Sequence, residues 1–347
     1  MAKQATTIED VARAAGVSRQ TVSRVINRQK SVSPAARDAV ERAIAELGYT
    51  PNQAARRMGG ARSHLIMAIN DRARTIENWT AGRGNDWVDQ MLYGGMLACE
   101  ARGYHMLFEL VETEPAEAVR QVGGIVVGVQ PDGMILTQPH SENEALCGML
   151  RERGRPFVRI GMPLEAIDAP SVHMDEAGAA QAAFSHMVSH GHRHIAVLAG
   201  DPRYRTSLAR REGYAAAVEE AGLELLIEEA GFSFDRAAQI AEDWFAAGDH
   251  PTAIIAENDE MAYGVMHAAR RHGIDIPGQL SLISFEDTPG ARFSMPPLTA
   301  IRQPTAQMIA RACEMLMDAA EGATIAGDHA LPFDLIERET TGPAPTR

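Results

Sequence analysis

The sequence predicts an all-α helix-turn-helix headpiece over residues 1–50, followed by an α/β core of two doubly wound parallel-sheet lobes over 62–340. Three observations carry this reading. Residues 6–48 hold three short runs of helical apolar spacing, separated by turns containing Gly or Ser. From Ser63 onward, short apolar runs alternate with amphipathic stretches in two successive series. Charge is divided in the same place. Residues 1–62 carry eleven Lys/Arg against five acids, a local +6 that leaves −19 for the remainder of a chain whose net charge is −13. A basic head on an acidic body focuses phosphate attraction on one end.

Within the head, Thr7 precedes Ile8-Glu9-Asp10, an N-cap followed by acids where the helix dipole favours them. Ile8, Val11, Ala12 and Ala15 form one apolar stripe that Gly16 ends. Ser18 opens a second helix, with Val22, Val25 and Ile26 on its inner side. Arg19, Gln20, Thr21, Ser23, Arg24 and Asn27 bring polar chemistry to the rest of it. Arg forks onto guanine, Gln pairs with adenine, and hydroxyls near a helix start hold phosphates. A solvated basic helical hairpin would share these features. The next segment decides against it: Ser33-Pro34 starts a third helix that runs through Val40, Ala43, Ile44 and Leu47 to Gly48.

Asp-Val-Ala at 10–12, Ala-Gly-Val-Ser at 15–18, Thr-Val-Ser-Arg-Val at 21–25 and Leu-Gly-Tyr-Thr-Pro-Asn at 47–52 follow in order. The stretch 6–58 therefore resembles the headpiece and hinge helix of the LacI/GalR repressor family. The resemblance implies that residues 51–61 form a hinge helix and linker, with Asn52, Ala55 and Met58 reaching DNA. Met58 would stand where relatives place an apolar wedge that unstacks a base step.

In the body, strands are expected at 64–70, 105–111, 133–137, 156–161, 194–199, 253–257 and 281–285. Helices are expected at 87–102, 115–123, 142–153, 176–190, 207–221, 234–247 and 259–272. Arg72–Asp86 is left as an unusually long β-α loop. Repeated β-α units imply parallel sheets covered on both faces, with ligands bound at the carboxyl ends of the strands. The runs Gly191–Ala196, Arg210–Tyr214, Pro251–Ile254, Asn258-Asp259, Pro296–Thr299 and Gln303-Pro304 resemble, in order, the effector-binding core of the same family, which is periplasmic-binding-protein-like. That likeness implies three crossings between lobes, near 162–166, 287–303 and 328–334. Lobe 1 then spans about 62–164 and 304–330, lobe 2 about 165–303 and 331–340, with 341–347 as a tail.

Several side chains are candidates for effector contact. The resemblance places Arg210 in the cleft, where a planar guanidinium suits effector oxygens, and Thr206 ends the irregular segment before its helix. Asn258 is expected to touch the ligand, while Asp259 can simply cap the following helix. Glu286 replaces an Asp usual in the family, and its extra methylene reaches about 1.5 Å further. Gly161 lacks an acid that a relative carries there, and Asp71 is an alternative carboxylate. Phe232 occupies a place where relatives put an aromatic ring, and Trp79, in a polar segment, is expected at the ligand or in a lid. Trp87 lies at that segment's end, and core packing competes with ligand contact for each aromatic.

Other chemistries find little support. The three cysteines, Cys99, Cys147 and Cys313, lack metal or redox spacing, which fits a reducing compartment. No secretory signal opens the chain and no apolar run reaches the length of a membrane span, so a cytoplasmic protein with no membrane partner is expected. His190-Gly-His192-Arg-His194 reads as a tight turn rather than a metal site. Gly123–Gly128 lacks the Lys-Ser/Thr of a phosphate loop. A sugar-modifying or nicotinamide-dependent enzyme could use the same βα lobes, but no nucleophile–base pair or dinucleotide loop is legible, so neither catalysis nor a cofactor is expected. An exported solute-binding protein would lack the cationic head. The expectation is a regulator, a repressor first, with a sugar or glycoside effector and a near-palindromic double-stranded operator. A purine or other non-sugar corepressor is the alternative. No Leu heptad follows Thr341, so a homodimer is expected rather than a tetramer.

Overall fold

The computed structural model describes residues 6–26, 31–49, 62–81, 85–248 and 250–346. It divides into two compact units, Met1–Ser63 and His64–Arg347.

In the first unit, α1 (Ile8–Ala15), α2 (Arg19–Ile26) and α3 (Pro34–Leu47) bury Val11, Ala12, Val22, Val25, Val40 and Ala43 against one another. Local chemistry sets the ends. Thr7 and Asp10 exchange a reciprocal capping box, and Gly16 takes a left-handed φ of 64° that closes α1. The Ser18 hydroxyl accepts from the Thr21 amide at 3.1 Å, and the Ser33 side chain caps α3. The expected hinge, with Asn52, Ala55 and Met58, lies outside the described residues, as does Asn27.

The second unit holds two six-stranded sheets. Lobe 1 contains β1 (Leu65–Asp71), β2 (His105–Val111), β3 (Gly133–Leu136), β4 (Phe157–Ile160), β5 (Ser171–Met174) and β11 (Asp328–Leu331), in the order β11-β5-β4-β3-β1-β2. Lobe 2 contains β6 (Ile195–Ala199), β7 (Leu226–Glu229), β8 (Ala253–Ala256), β9 (Ser281–Glu286), β10 (Thr299–Arg302) and β12 (Asp334–Ile336), in the order β12-β10-β9-β8-β6-β7. The two orders are the same doubly wound pattern repeated. Every pairing is parallel except β10 with β12. Every residue of β1 is buried, as a strand covered on both faces requires.

Helices cover both faces of each sheet. In lobe 1, α5 (Asp86–Ala101) and α13 (Thr305–Ala320) pack one face, while α6 (Pro115–Gly128) and α7 (Glu144–Glu152) pack the other. In lobe 2 the pairs are α8 (Glu176–Ser189) with α9 (Arg205–Ala221), and α10 (Phe234–Ala247) with α11 (Asp259–His272). A short α12 (Pro289–Phe293) precedes β10. Among the described residues, no helix is long and apolar enough to cross a membrane.

The structure corrects several expectations. Arg72–Thr80 is a helix, α4, not a loop. The Asp71 carboxylate accepts from the Ala73 and Arg74 amides, so the charge ending β1 also caps the helix that follows. The helix starting at Pro115 does not stop at Gly123; Ala118, Val122 and Val126 keep its buried stripe in register to Gly128. The first crossing falls later than 162–166, because Ser171–Met174 pairs with β4 inside lobe 1. Its four residues, between a Pro-rich stretch and a helix, are too short for alternation to be visible. The other crossings lie between β10 and α13 and between Leu331 and Asp334, next to short strands whose partners are distant in sequence.

Candidate functional site

On α2 the inner face is spent on the headpiece core, and its other faces are available for recognition. Arg19, Gln20 and Arg24 are exposed, while Thr21 and Ser23 are half-buried. Arg19 Nε rests 3.3 Å from the Glu9 carboxylate. Both partners are solvated, so the pair is weak and easily exchanged for a stronger anion. Thr7 is exposed, but its hydroxyl is committed to Asp10.

The core contains a cavity of about 270 Å³ between the lobes. It lies at the carboxyl ends of both sheets, where a doubly wound topology exposes strand ends and helix starts. Asn70 and Asp71 at the end of β1, Gln138 after β3, Gly161 after β4 and Met174 of β5 come from lobe 1. Glu257 and Asn258 after β8 and Glu286 at the end of β9 come from lobe 2. Asp71, Thr206, Arg210, Phe232, Asn258 and Glu286 therefore line one cavity, although they span more than 200 positions of sequence.

Trp79 is not among the lining residues, and it is 52% exposed. On α4 it is Arg74, Thr75 and Asn78 that line the cavity, while the Trp79 ring is exposed. The indole that lines the cavity is Trp87, in the first turn of α5.

Arg210 is buried and its guanidinium is already engaged. Nε donates to Glu176 at 2.8 Å, Nη1 donates to the Glu257 carbonyl at 2.8 Å, and the group stacks over Phe285 at 4.2 Å. Asn258, not Asp259, is the N-cap of α11, its Oδ1 accepting from the Met261 amide at 2.9 Å. Asp259 instead accepts from the Ser284 hydroxyl and the Thr288 amide beneath the cavity. Burial pushes the Asp259 carboxyl up to about 6.

Glu286 is held at φ 102°, in the left-handed region, by the tight exit from β9. Its neighbour Asp287 is anchored by Arg302 and Arg338. Burial, then the nearby Asp259 and Asp86 carboxylates, push the Glu286 carboxyl up to about 8. Near neutral pH it can both donate and accept a hydrogen bond. Glu257 is raised as well by burial, and its Oε2 accepts from the Gly200 amide at 2.8 Å.

Three contacts tie the lobes together across the cavity. The Tyr204 hydroxyl donates to Asp71 at 3.3 Å, the Thr206 hydroxyl donates to Gln138 at 3.3 Å, and Arg74 lies 5.0 Å from the centre of the Phe232 ring. Burial raises the Tyr204 phenol to about 12, which keeps it a donor. The reading of the sequence missed Arg74, Asp86, Gln138, Tyr204 and Tyr263. Arg74 had a signal available, since a helix capped by Asp71 would have turned it inward.

Residues 7–52 match the family described as "Bacterial regulatory proteins, lacI family", and residues 184–341 match "Periplasmic binding protein-like domain". The HTH-type transcriptional regulator CelR of Thermobifida fusca is 32% identical over 92% of this chain and 93% of its own. A solved transcriptional regulator CelR–cellobiose complex superposes with a TM-score of 0.70 at 28% identity, over 96% of this chain and 99% of that one. The lac repressor dimer bound to operator and the anti-inducer ONPF superposes with a TM-score of 0.81 at 25% identity, over 98% and 100%. The recognition helix, the two repeated lobes and the cavity between them agree with these likenesses, and the chain belongs to the LacI family of bacterial transcriptional regulators.

Proposed function

We propose that the protein is a repressor that binds a near-palindromic operator as a homodimer and is controlled by a sugar or glycoside held between its lobes. The observation that carries this is the cavity lining, which combines Trp87 and Phe232 with a dense set of hydrogen-bonding groups, Asp71, Gln138, Asn258 and Glu286 among them. Aromatic faces suit sugar C–H surfaces, and carboxyl and amide groups suit hydroxyls. The cellobiose bound by a CelR relative supports the same class.

On the DNA side, Arg19, Gln20 and Arg24 read base edges or hold phosphates, with Thr7, Ser18, Thr21, Ser23 and Asn27 as flanking contacts. Asn52, Ala55 and Met58 belong to the proposed hinge. Dimerisation is supported by α5, where Tyr93, Met96 and Leu97 expose one apolar face at helical spacing. Effector control works through the difference in affinity for two lobe arrangements. The contacts of Tyr204, Thr206 and Arg74 across the cavity are the ones such a change would break or strengthen.

The test is a thermal-shift screen of the full chain against sugars, glycosides and purines, with the best hit carried into binding assays on DNA from its own promoter. Stabilisation by a sugar that also alters DNA affinity is the expected result. Stabilisation by purines and not by sugars overturns the effector class. Failure to retard that DNA in any ligand state overturns the regulator's proposed mode of action.

A further inference from the structure

We propose that His186, His190 and Glu337 form a binding site for a divalent transition metal of the zinc class, in lobe 2 and remote from the effector cavity. One ligand atom from each residue lies within 4.8 Å of the others. His186 and His190 are four residues apart at the end of α8, so they share a helix face. Glu337 follows β12 and brings its carboxylate to 4.0 Å from His190 Nε2. Helix α8 begins at Glu176 in the effector cavity, and fourteen residues of helical rise put His190 about 20 Å away.

At His190 the hydrogen bonds leave one ring nitrogen for a metal, and at His186 Nε2 lies 3.4 Å from the Thr341 hydroxyl, a long contact that a metal would replace. His190 Nδ1 lies 3.0 Å from the His186 carbonyl, which can only accept, so Nδ1 carries the proton. In the neutral ring this leaves the Nε2 lone pair facing Glu337. A histidine fixed by a backbone carbonyl through its other nitrogen is the usual arrangement at zinc centres. The neighbouring His192 is a useful contrast. Its ring nitrogens bond Thr252, Ser281 and the Gly342 carbonyl at 3.0–3.1 Å, so it is structural and leaves no free lone pair.

Two imidazoles and one carboxylate make a borderline donor set suited to zinc, with bonds of about 2.0–2.2 Å. Binding closes the donors from within 4.8 Å to a tetrahedral edge of about 3.4 Å, a movement that falls mainly to the exposed Glu337 side chain. Glu337 is exposed, so water can complete the coordination. Such an ion would tie the end of α8 to the chain just past the last crossing between lobes. The run His190–His194 does not reveal this site, because its two partners lie four residues upstream and about 150 residues downstream of it.

The test uses metal-stripped full-length protein titrated with zinc chloride, followed by calorimetry and thermal melting. One equivalent should bind, and the melting midpoint should rise with zinc concentration and fall back when chelator is added. His190→Ala and Glu337→Gln should each weaken binding at least tenfold. Glu337 is at the surface, so its substitution should leave the metal-free melting midpoint in place. Cobalt should give visible tetrahedral bands that His190→Ala removes. Absence of saturable one-equivalent binding overturns the proposal, as does equal affinity in wild type and both variants. An effect of His190→Ala without one of Glu337→Gln overturns the three-ligand site.

Discussion

The Arg210 guanidinium lies 2.8 Å from the Glu176 carboxylate, with both side chains less than a tenth exposed. This ion pair sits in the wall of the cavity, and a cation from α9 neutralises an acid from the start of α8. Removing one partner leaves a buried charge uncompensated. Arg210→Ala should therefore cost about 3–5 kcal/mol of stability and abolish stabilisation by the cognate effector. Urea denaturation followed by circular dichroism measures the first quantity, and a loss under 1 kcal/mol would refute the buried-pair account.

Tyr204→Phe removes only the hydroxyl that reaches from lobe 2 to Asp71. A hydrogen bond of this kind is worth about 0.5–1.5 kcal/mol net, so the closed arrangement should lose about 2- to 10-fold in population. Effector affinity from calorimetry should fall by the same factor. Unchanged affinity would mean that this bond does not bias the lobes.

Arg19→Ala breaks an exposed ion pair with Glu9 and should change stability by no more than about 0.5 kcal/mol. Operator affinity should drop by about 1–3 kcal/mol if Arg19 reads a base. Glu9→Gln separates the two roles, because it frees Arg19 and should leave DNA binding intact or tighter. Gel-shift titration at fixed salt reads both variants.

Glu286 gives a pH signature. Its carboxyl is held at about 8 in the folded chain against about 4.3 when unfolded. The native state thus binds more protons between these values. Stability should fall as pH rises from about 4.5 to 8 and level off above. Glu286→Gln should remove that slope from ligand-free melting curves, whereas an unchanged slope would assign it to other groups.

Gly94 marks where α5 meets α13. A Cβ there would lie 2.0 Å from the Ala306 carbonyl oxygen, a backbone atom that cannot step aside. Gly94→Ala should destabilise lobe 1 by about 1–3 kcal/mol or more, seen as a lower melting midpoint. Gly124→Ala, where a Cβ meets nothing within 4 Å, is the control and should be neutral or stabilising.

The headpiece was legible because its signals are local. The Thr7–Asp10 capping box, Gly16 and Ser33-Pro34 act within a single helical turn, and their spacing survives on the page. The β-α alternation of the core was legible for the same reason. Short edge elements such as Ser171–Met174 and Asp334–Ile336 were not, since four or three residues carry no period and owe their conformation to a partner strand. Trp79 illustrates the limit from another side. An aromatic in a polar stretch suggested ligand contact, but Trp79 stays exposed on the helix that Asp71 caps, and Trp87, on the helix after it, lines the cavity.

The sequence by itself determined the two-part architecture, the helix-turn-helix and six of the residues that meet at the cavity. Only the tertiary structure decided what those residues do there. Arg210 is occupied by Glu176, 34 positions away; Asp71 caps a helix and meets Tyr204, 133 positions away; and Glu286 is neutralised in part by burial beside Asp259 and Asp86. Caps and periodicity are written in neighbouring residues. Charge states and partners depend on which distant groups the fold brings together and how completely it removes the water between them.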